Sequence, residues 1–100
     1  MIELEDAVME IIVNAGQSRS LCFEALHAAR TGNIDEARLL LNEADGYARR
    51  AHQMQTQLIG QDAGEARQPM MLIMVHAQDH LMNSLLAREF SEELIHLYQR

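Results

Sequence analysis

Apolar residues recur mostly at spacings of three and four from the start of the chain: Leu4, Val8, Ile11, Ile12, Ala15, Leu21, Cys22, Ala25, Leu26 and Ala29. That period predicts an amphipathic helix from Glu3 to Arg30. Thr31-Gly32-Asn33 interrupts it. Gly32 can take the left-handed conformation after a helix end, and Asn33 can cap the next helix with Glu36 reaching back in a capping box. So short a connection makes the two helices antiparallel neighbours.

The second pattern runs from Ile34 through Ala37, Leu40, Leu41, Ala44, Ala48, Ala51, Met54 and Leu58 to Ile59, with Gly60 as the expected terminator. Gly46 lies inside it, at a cost of about 1 kcal/mol relative to Ala unless close packing requires a glycine. Gln61 to Gln68 reads as a polar loop. Pro69 suits a helix first turn, so the third helix is expected from about Pro69 to Tyr98. No segment alternates as a strand would. The helix entry Gly32-Asn33-Ile34-Asp35-Glu36-Ala37 resembles that of helical repeats but occurs once, and repeat architectures need several copies. The expectation is an all-α, antiparallel three-helix bundle occupying residues 1–100 as one domain.

Helices of roughly 26 to 30 residues are about 40 Å long, and three such rods enclose a narrow core. Leu72, Ile73, Phe90 and Leu94 fall outside the obvious stripe. A homo-oligomer of long helices would bury them, and ordinary surface hydrophobicity would equally account for them.

Composition narrows the function classes. The chain is 48% apolar, but with two Phe, two Tyr and no Trp its core must be built from aliphatic residues, Ala and seven Met. Eight basic against fifteen acidic residues give a net charge of −7, which argues against nucleic acid and favours a partner with a basic or neutral patch. A single Cys22 excludes an internal disulfide and reads as a small core hydrophobe. The opening Met1 to Asp6 is acidic where a secretory peptide is basic and then apolar. The longest aliphatic run, Met70 to Val75, is far short of the roughly 20 residues that span a bilayer. A cytoplasmic protein without membrane insertion is expected.

Chemistry concentrates in Val75-His76-Ala77-Gln78-Asp79-His80-Leu81-Met82. At about 100° per residue, His76, Asp79 and His80 share about a third of the helix circumference, away from Met74, Val75, Leu81, Met82, Leu85 and Leu86. A carboxylate near an exposed imidazole can hold one tautomer and leave the other ring nitrogen free as a nucleophile or ligand. That is the minimum equipment of a phosphoryl-accepting histidine. His27 and His96 read as structural or surface residues. His52, in an amide-rich stretch with Gln53, Gln55, Thr56 and Gln57, reads as a partner for inter-helix hydrogen bonds.

His76 and His80, one turn apart, also have the spacing of two zinc ligands. The protease version needs Glu directly after the first histidine, where this chain has Ala77, and a closed structural site needs further Cys or His donors. Asp79, a hard oxygen donor, is better matched to Mg²⁺. No phosphate-binding glycine loop and no Gly-x-Ser-x-Gly elbow occur. Ser18 and Ser20 beside Arg19 read as packing and surface residues. The residues alone therefore leave three readings open: phosphoryl relay, metal binding, or a plain interaction module.

Four segments in order along nearly the whole chain carry a resemblance: Asn14-Ala15-Gly16-Gln17-Ser18-Arg19-Ser20, Gly32 to Ala37, Ala51-His52-Gln53-Met54-Gln55-Thr56-Gln57-Leu58-Ile59, and Val75 to Met82. Together they resemble the enzyme IIA component of the lactose/cellobiose (diacetylchitobiose) class of the bacterial sugar phosphotransferase system. The His-Ala-Gln-Asp-His-Leu-Met stretch is highly specific to that family. The resemblance implies a homotrimer of three-helix bundles. Each takes a phosphoryl group from the histidine-containing phosphocarrier protein and hands it to a cysteine of a IIB component, driving disaccharide uptake. By position, His76 would be the acceptor, through Nε2. Asp79 would contact Mg²⁺ or another divalent cation at the subunit interface. His80 and Gln78 would support the group or satisfy polar contacts, with a structural hydrogen bond favoured for Gln78. Ala77 looks more like the cellobiose and diacetylchitobiose members than the lactose ones, which tend to have Gly there.

Two rivals stand beside this. A two-component histidine-phosphotransfer domain is also helical, but that family wants Lys soon after its histidine, where Asp79 and His80 stand here. A metal-stabilised helical adaptor without phosphoryl chemistry would lose its assembly on chelation.

Overall fold

The computed structural model describes residues 3–64, 69 and 71–100. Three helices follow one another, α1 (Leu4–Arg30), α2 (Ile34–Ala63) and α3 (Leu72–Tyr98), in a rod measuring 52 × 20 × 18 Å. The expected three-helix architecture is what forms. α1 is the shared partner, packing extensively on both other helices, and the α2–α3 seam is the thinnest.

The turn after α1 is closed by its own backbone. Gly32 sits at φ +93°, its N–H donates to Ala29 O at 3.0 Å, and the Asn33 N–H donates to Ala28 O at 2.8 Å. These two bonds are a complete Schellman cap. They also explain why the expected capping box is missing. Asn33 is the N-cap of α2 by position but makes no side-chain cap bond, and its N–H, which Glu36 would have had to accept, already belongs to Ala28.

Two expected boundaries move. α2 does not stop at Gly60; it continues through Gln61, Asp62 and Ala63 to a C-cap at Gly64. A glycine ends a helix by turning left-handed, and Gly60 does not; it merely costs helix propensity. The expected polar loop from Gln61 is therefore helical in its first three residues, and Glu65–Gln68 lie outside the described residues. α3 begins at Leu72 rather than Pro69 because Met71 is extended (φ −100°, ψ 149°) and acts as the N-cap, its carbonyl accepting from Met74 and Val75 at 3.0 and 3.1 Å. Gly46 needs no close approach, since a Cβ there would meet nothing within 4 Å.

The core has two segments. At the end where α2 finishes and α3 begins, Val8, Ile11, Leu58, Met74 and Leu81 pack around Ala7, Ala15, Ala51 and Ala77. At the other end Leu21, Cys22, Leu41 and Ile95 pack around Ala25, Ala28, Ala29, Ala37 and Ala44. Among the described residues, more than half of the buried apolar ones are Ala. The helices therefore approach closely, and each large side chain between them matters more.

The second segment is tied by charge. Arg88 forks onto Asp45 at 2.7 and 3.1 Å and reaches Glu92 at 3.2 Å, while Arg38 bonds Glu92 and also Gln99 at 3.0 Å. The Arg38 guanidinium, helped by Arg88, holds the Glu92 carboxyl below its ordinary value. A carboxyl whose folded-state value is lowered stabilises the fold above its unfolded value and loses that contribution as pH falls through the folded one. The unfolding midpoint should therefore drop as pH goes below about 4.3, and should drop less in Glu92→Gln. Parallel melting curves of the two proteins against pH check this; identical acid limbs would remove Glu92 from the clamp.

Candidate functional site

α3 carries apolar residues on two faces. One face is buried: Met74, Ala77, Leu81, Ser84, Ser91 and Ile95. The other is exposed. Val75, Met82 and Leu86 are about half exposed and lie within about 40° of one another around the helix axis, with Asp79 about 20° beyond them. The single apolar side expected from the sequence is thus two surfaces, and Asp79 borders the exposed one rather than standing apart from it. Leu72, 86% exposed, Phe90 and Leu97 extend the exposed strip along the helix.

His76 and His80 occupy the flank between the two faces. Gln78, Arg88 and Glu92 reach across to α2, so the histidines lie on the opposite flank, the one turned toward α1. His76 is exposed and His80 half-buried. Their rings meet edge to face with centroids 4.5 Å apart, interplanar angle 87° and Nε2 to Nε2 3.1 Å. That distance is a hydrogen bond, so one Nε2 carries a proton and the other offers a lone pair. When His80 donates, the proton of His76 resides on Nδ1 and its Nε2 is unprotonated. A half-buried neighbour can thus fix the tautomer of an exposed imidazole, the part the sequence reading gave to a carboxylate; Asp79 forms no ion pair among the described residues.

Gln78 takes the structural role favoured for it. It accepts a hydrogen bond from Gln55 of α2 and its amide lies 3.9 Å from the Met74 sulfur. It is about 160° away from His80 on the helix. The bond expected of the amide-rich stretch of α2 therefore comes from Gln55, while His52 is exposed and makes no inter-helix hydrogen bond among the described residues. Nothing in the sequence alone paired Gln55 with Gln78. His27 Nδ1 lies 3.0 Å from the Arg30 guanidinium, and His96 Nε2 is 3.2 Å from Glu92. Arg19 lies over the Phe23 ring at 5.3 Å.

Cys22 is fully buried, burial pushes its thiol up from the ordinary value, and Ser91 bonds it. It packs, as expected, and is unsuited to chemistry at neutral pH. Among the described residues no group of three or more His, Cys, Asp or Glu side chains gathers in one chain to hold a metal ion. No helix among them is long and apolar enough to cross a membrane.

His76 is also placed one turn into α3, whose first turn contains no acidic residue. The partial positive charge of the helix N-terminus is therefore not cancelled locally, which favours added negative charge nearby. An exposed imidazole in that position, hydrogen-bonded to its neighbour, is equipped to carry an anionic group.

Comparison with known proteins agrees with the motifs. Residues 6–99 match the family described as "PTS system, Lactose/Cellobiose specific IIA subunit". The chain is similar to the N,N'-diacetylchitobiose-specific EIIA component of Escherichia coli (strain K12), 46% identical over 98% of this chain and 84% of the relative. It is likewise similar to the lichenan-specific enzyme IIA component of Bacillus subtilis (strain 168), 42% identical over 98% of this chain and 89% of the relative. Among solved structures, the cellobiose-specific enzyme IIA from Bacillus anthracis superposes with TM-score 0.93 at 35% identity, covering 99% of this chain and 92% of the other. The IIA(Chitobiose)–HPr complex of the Escherichia coli phosphotransferase system gives 0.85 at 44% identity, covering 99% and 96%. With motifs, sequence and fold in agreement over nearly its whole length, the chain belongs to the lactose/cellobiose-specific IIA subunit family of the phosphotransferase system.

Proposed function

We propose that this protein is a phosphocarrier: His76 Nε2 takes a phosphoryl group from the histidine-containing phosphocarrier protein and passes it to the cysteine of a IIB component. The observation that carries the reading is the His76–His80 pair: with His80 as donor, the exposed His76 imidazole keeps an unprotonated Nε2. Family membership supplies the donor, since a relative's solved structure is a complex with HPr.

The chemistry needs little machinery. The Nε2 lone pair attacks the donor's phosphorus in line as the donor's N–P bond breaks, and positioning plus charge stabilisation suffice for such an exchange. His80 can turn its N–H from His76 to a phosphoryl oxygen, and the open end of α3 adds its dipole. Transfer to a IIB thiolate repeats the displacement with sulfur as acceptor. The cargo of the cognate transporter is a disaccharide of the cellobiose, diacetylchitobiose or lactose type, recognised elsewhere than on this subunit.

The test is reconstitution with phosphoenolpyruvate, enzyme I and HPr, read by intact mass at alkaline pH. One acid-labile phosphoryl group should appear on the protein and disappear on adding the IIB component. No gain with HPr shown to be phosphorylated would overturn the relay.

The exposed strip on α3 supports a homotrimer. A strip of half-exposed Val75, Met82 and Leu86 is the apolar surface that association through α3 would remove from water. Asp79 beside it is a hard oxygen donor but one carboxylate only, so a cation such as Mg²⁺ would be held by Asp79 from several subunits together. Its contribution there is to offset carboxylates that would otherwise repel. In sedimentation, wild type should associate more weakly in chelator than in Mg²⁺, and Asp79→Asn should lose that dependence. A monomer under every condition would remove the trimer and the cation together.

A further inference from the structure

The two imidazoles that serve a phosphoryl group have a second capability. We propose that His76 and His80 form a chelating site for a borderline divalent metal, Zn²⁺ in particular, distinct from a hard-cation site at Asp79, and that an occupied site cannot accept a phosphoryl group.

Geometry carries the case. Zinc holds imidazole nitrogens about 2.0–2.1 Å away, so two nitrogens on one ion lie about 2.9–3.4 Å apart for angles between square and tetrahedral. The two Nε2 atoms are 3.1 Å apart before any metal arrives. Their separation is therefore already that of two ligands on one ion, and only ring rotation is needed to aim both lone pairs at it. His76 is exposed and free to make that rotation.

Proton bookkeeping is simple. The Nε2 proton shared within the pair moves to Nδ1 of the same ring, both rings remain neutral, and both Nε2 lone pairs become ligands. Imidazole donors suit Zn²⁺, Ni²⁺ and Cu²⁺ and do not suit Mg²⁺, which separates this site from the carboxylate at Asp79. With two protein ligands the remaining positions go to water, so the ion is reversible.

The other histidines do not compete. His96 stands beside Glu92, but that carboxylate is already engaged by Arg38 and Arg88, whose charges oppose a cation. His27 faces Arg30. Among the described residues, His76 and His80 are the paired imidazoles with no guanidinium against them.

The consequence for function rests on the relay reading. The lone pair that binds the metal is the one that attacks phosphorus. Metal and phosphoryl group therefore exclude each other, and the relay becomes sensitive to free zinc.

The experiment is titration of the unphosphorylated full chain with zinc chloride, followed by calorimetry and by the imidazole ¹H–¹⁵N spectrum. One zinc per chain should bind, with the His76 and His80 resonances moving together and those of His27 and His96 unmoved. His80→Gln should weaken binding by at least about tenfold, the least that disturbing a metal's surroundings brings; His96→Gln and Asp79→Asn should not. Phosphorylation by phospho-HPr should fall as zinc saturates the site and return with chelator. No saturable binding, or binding reported by other histidines, with normal phosphoryl acceptance, overturns the inference and leaves the relay standing. Zinc at this pair in a protein that never accepts a phosphoryl group upholds the metal site and overturns the relay. Because the spectrum is read on wild type, a misfolded variant cannot decide the matter.

Discussion

His76→Gln should abolish phosphoryl acceptance while leaving the fold intact. Glutamine keeps the polarity and approximate reach of the side chain but offers no nucleophilic nitrogen, its amide lone pair being delocalised. His76 is exposed, and surface changes of this kind alter stability by about 0.5 kcal/mol or less, so thermal unfolding should hardly move. His80 should not take over. It is half-buried, and its Nε2 stands 3.1 Å from the position that the His76 Nε2 would have occupied. In-line transfer depends on a near-attack geometry in which even about 1 Å of misplacement can cost about 100-fold. Wild type and variant are compared by intact mass at alkaline pH after incubation with the phosphorylated donor. A phosphoryl group on His76→Gln would move the acceptor to another residue, and His80→Gln would be the next variant to examine.

Leu81→Ala should destabilise the protein by about 3 kcal/mol, the middle of the range for emptying a buried Leu site. Leu81 has no exposed surface and belongs to the core segment with Val8, Ile11, Leu58 and Met74. The rest of the buried segment is Ala7, Ala15, Ala51 and Ala77, with Leu4, Ile12, Met54 and Leu85 packed against it. The four alanines cannot swing in to fill the space, so the cost should include a cavity contribution. For a chain of this length the loss corresponds to a fall in midpoint of about 15 °C. Both proteins are measured at one protein concentration, because self-association would make the midpoint depend on it. Well below the midpoint, phosphoryl acceptance per folded molecule should match wild type, since the variant leaves both imidazoles in place. A change below about 1 kcal/mol would mean that α3 is held to α1 and α2 by something other than this contact.

Legibility from the sequence followed the range of the interactions involved. The first turn was readable because a Schellman cap is local: Gly32 and the residues around it contain the whole device. The His76–His80 pair was readable for the same reason, four residues on one helix being an intrahelical neighbour relation. Gly60 misled because a glycine's conformation depends on what its neighbours do, and Gln61 to Ala63 continue the helix. Pro69 misled because a proline that fits a helix start does not compel one, and Met71 supplies the extended cap instead. The apolar side of α3 misled most. A helical projection counts apolar residues without regard to what covers them, so Met74 and Leu81, facing α1 and α2, merged with Val75 and Met82, facing out. Gln55–Gln78 and Arg38–Glu92 are long-range pairs across helices, and one sequence read alone has no means to match such partners.

The charged clamp of Arg38, Asp45, Arg88 and Glu92 stands at one end of the rod and the imidazole pair at the other. His76 and Glu92 are separated by about 24 Å of α3. Perturbations that far apart with no shared partner add independently. The two ends therefore behave as separate modules: the clamp can be rewritten to raise or lower the temperature range of the protein without retuning the reactive nitrogen, and the reactive end can diverge toward new docking partners without unravelling the rod.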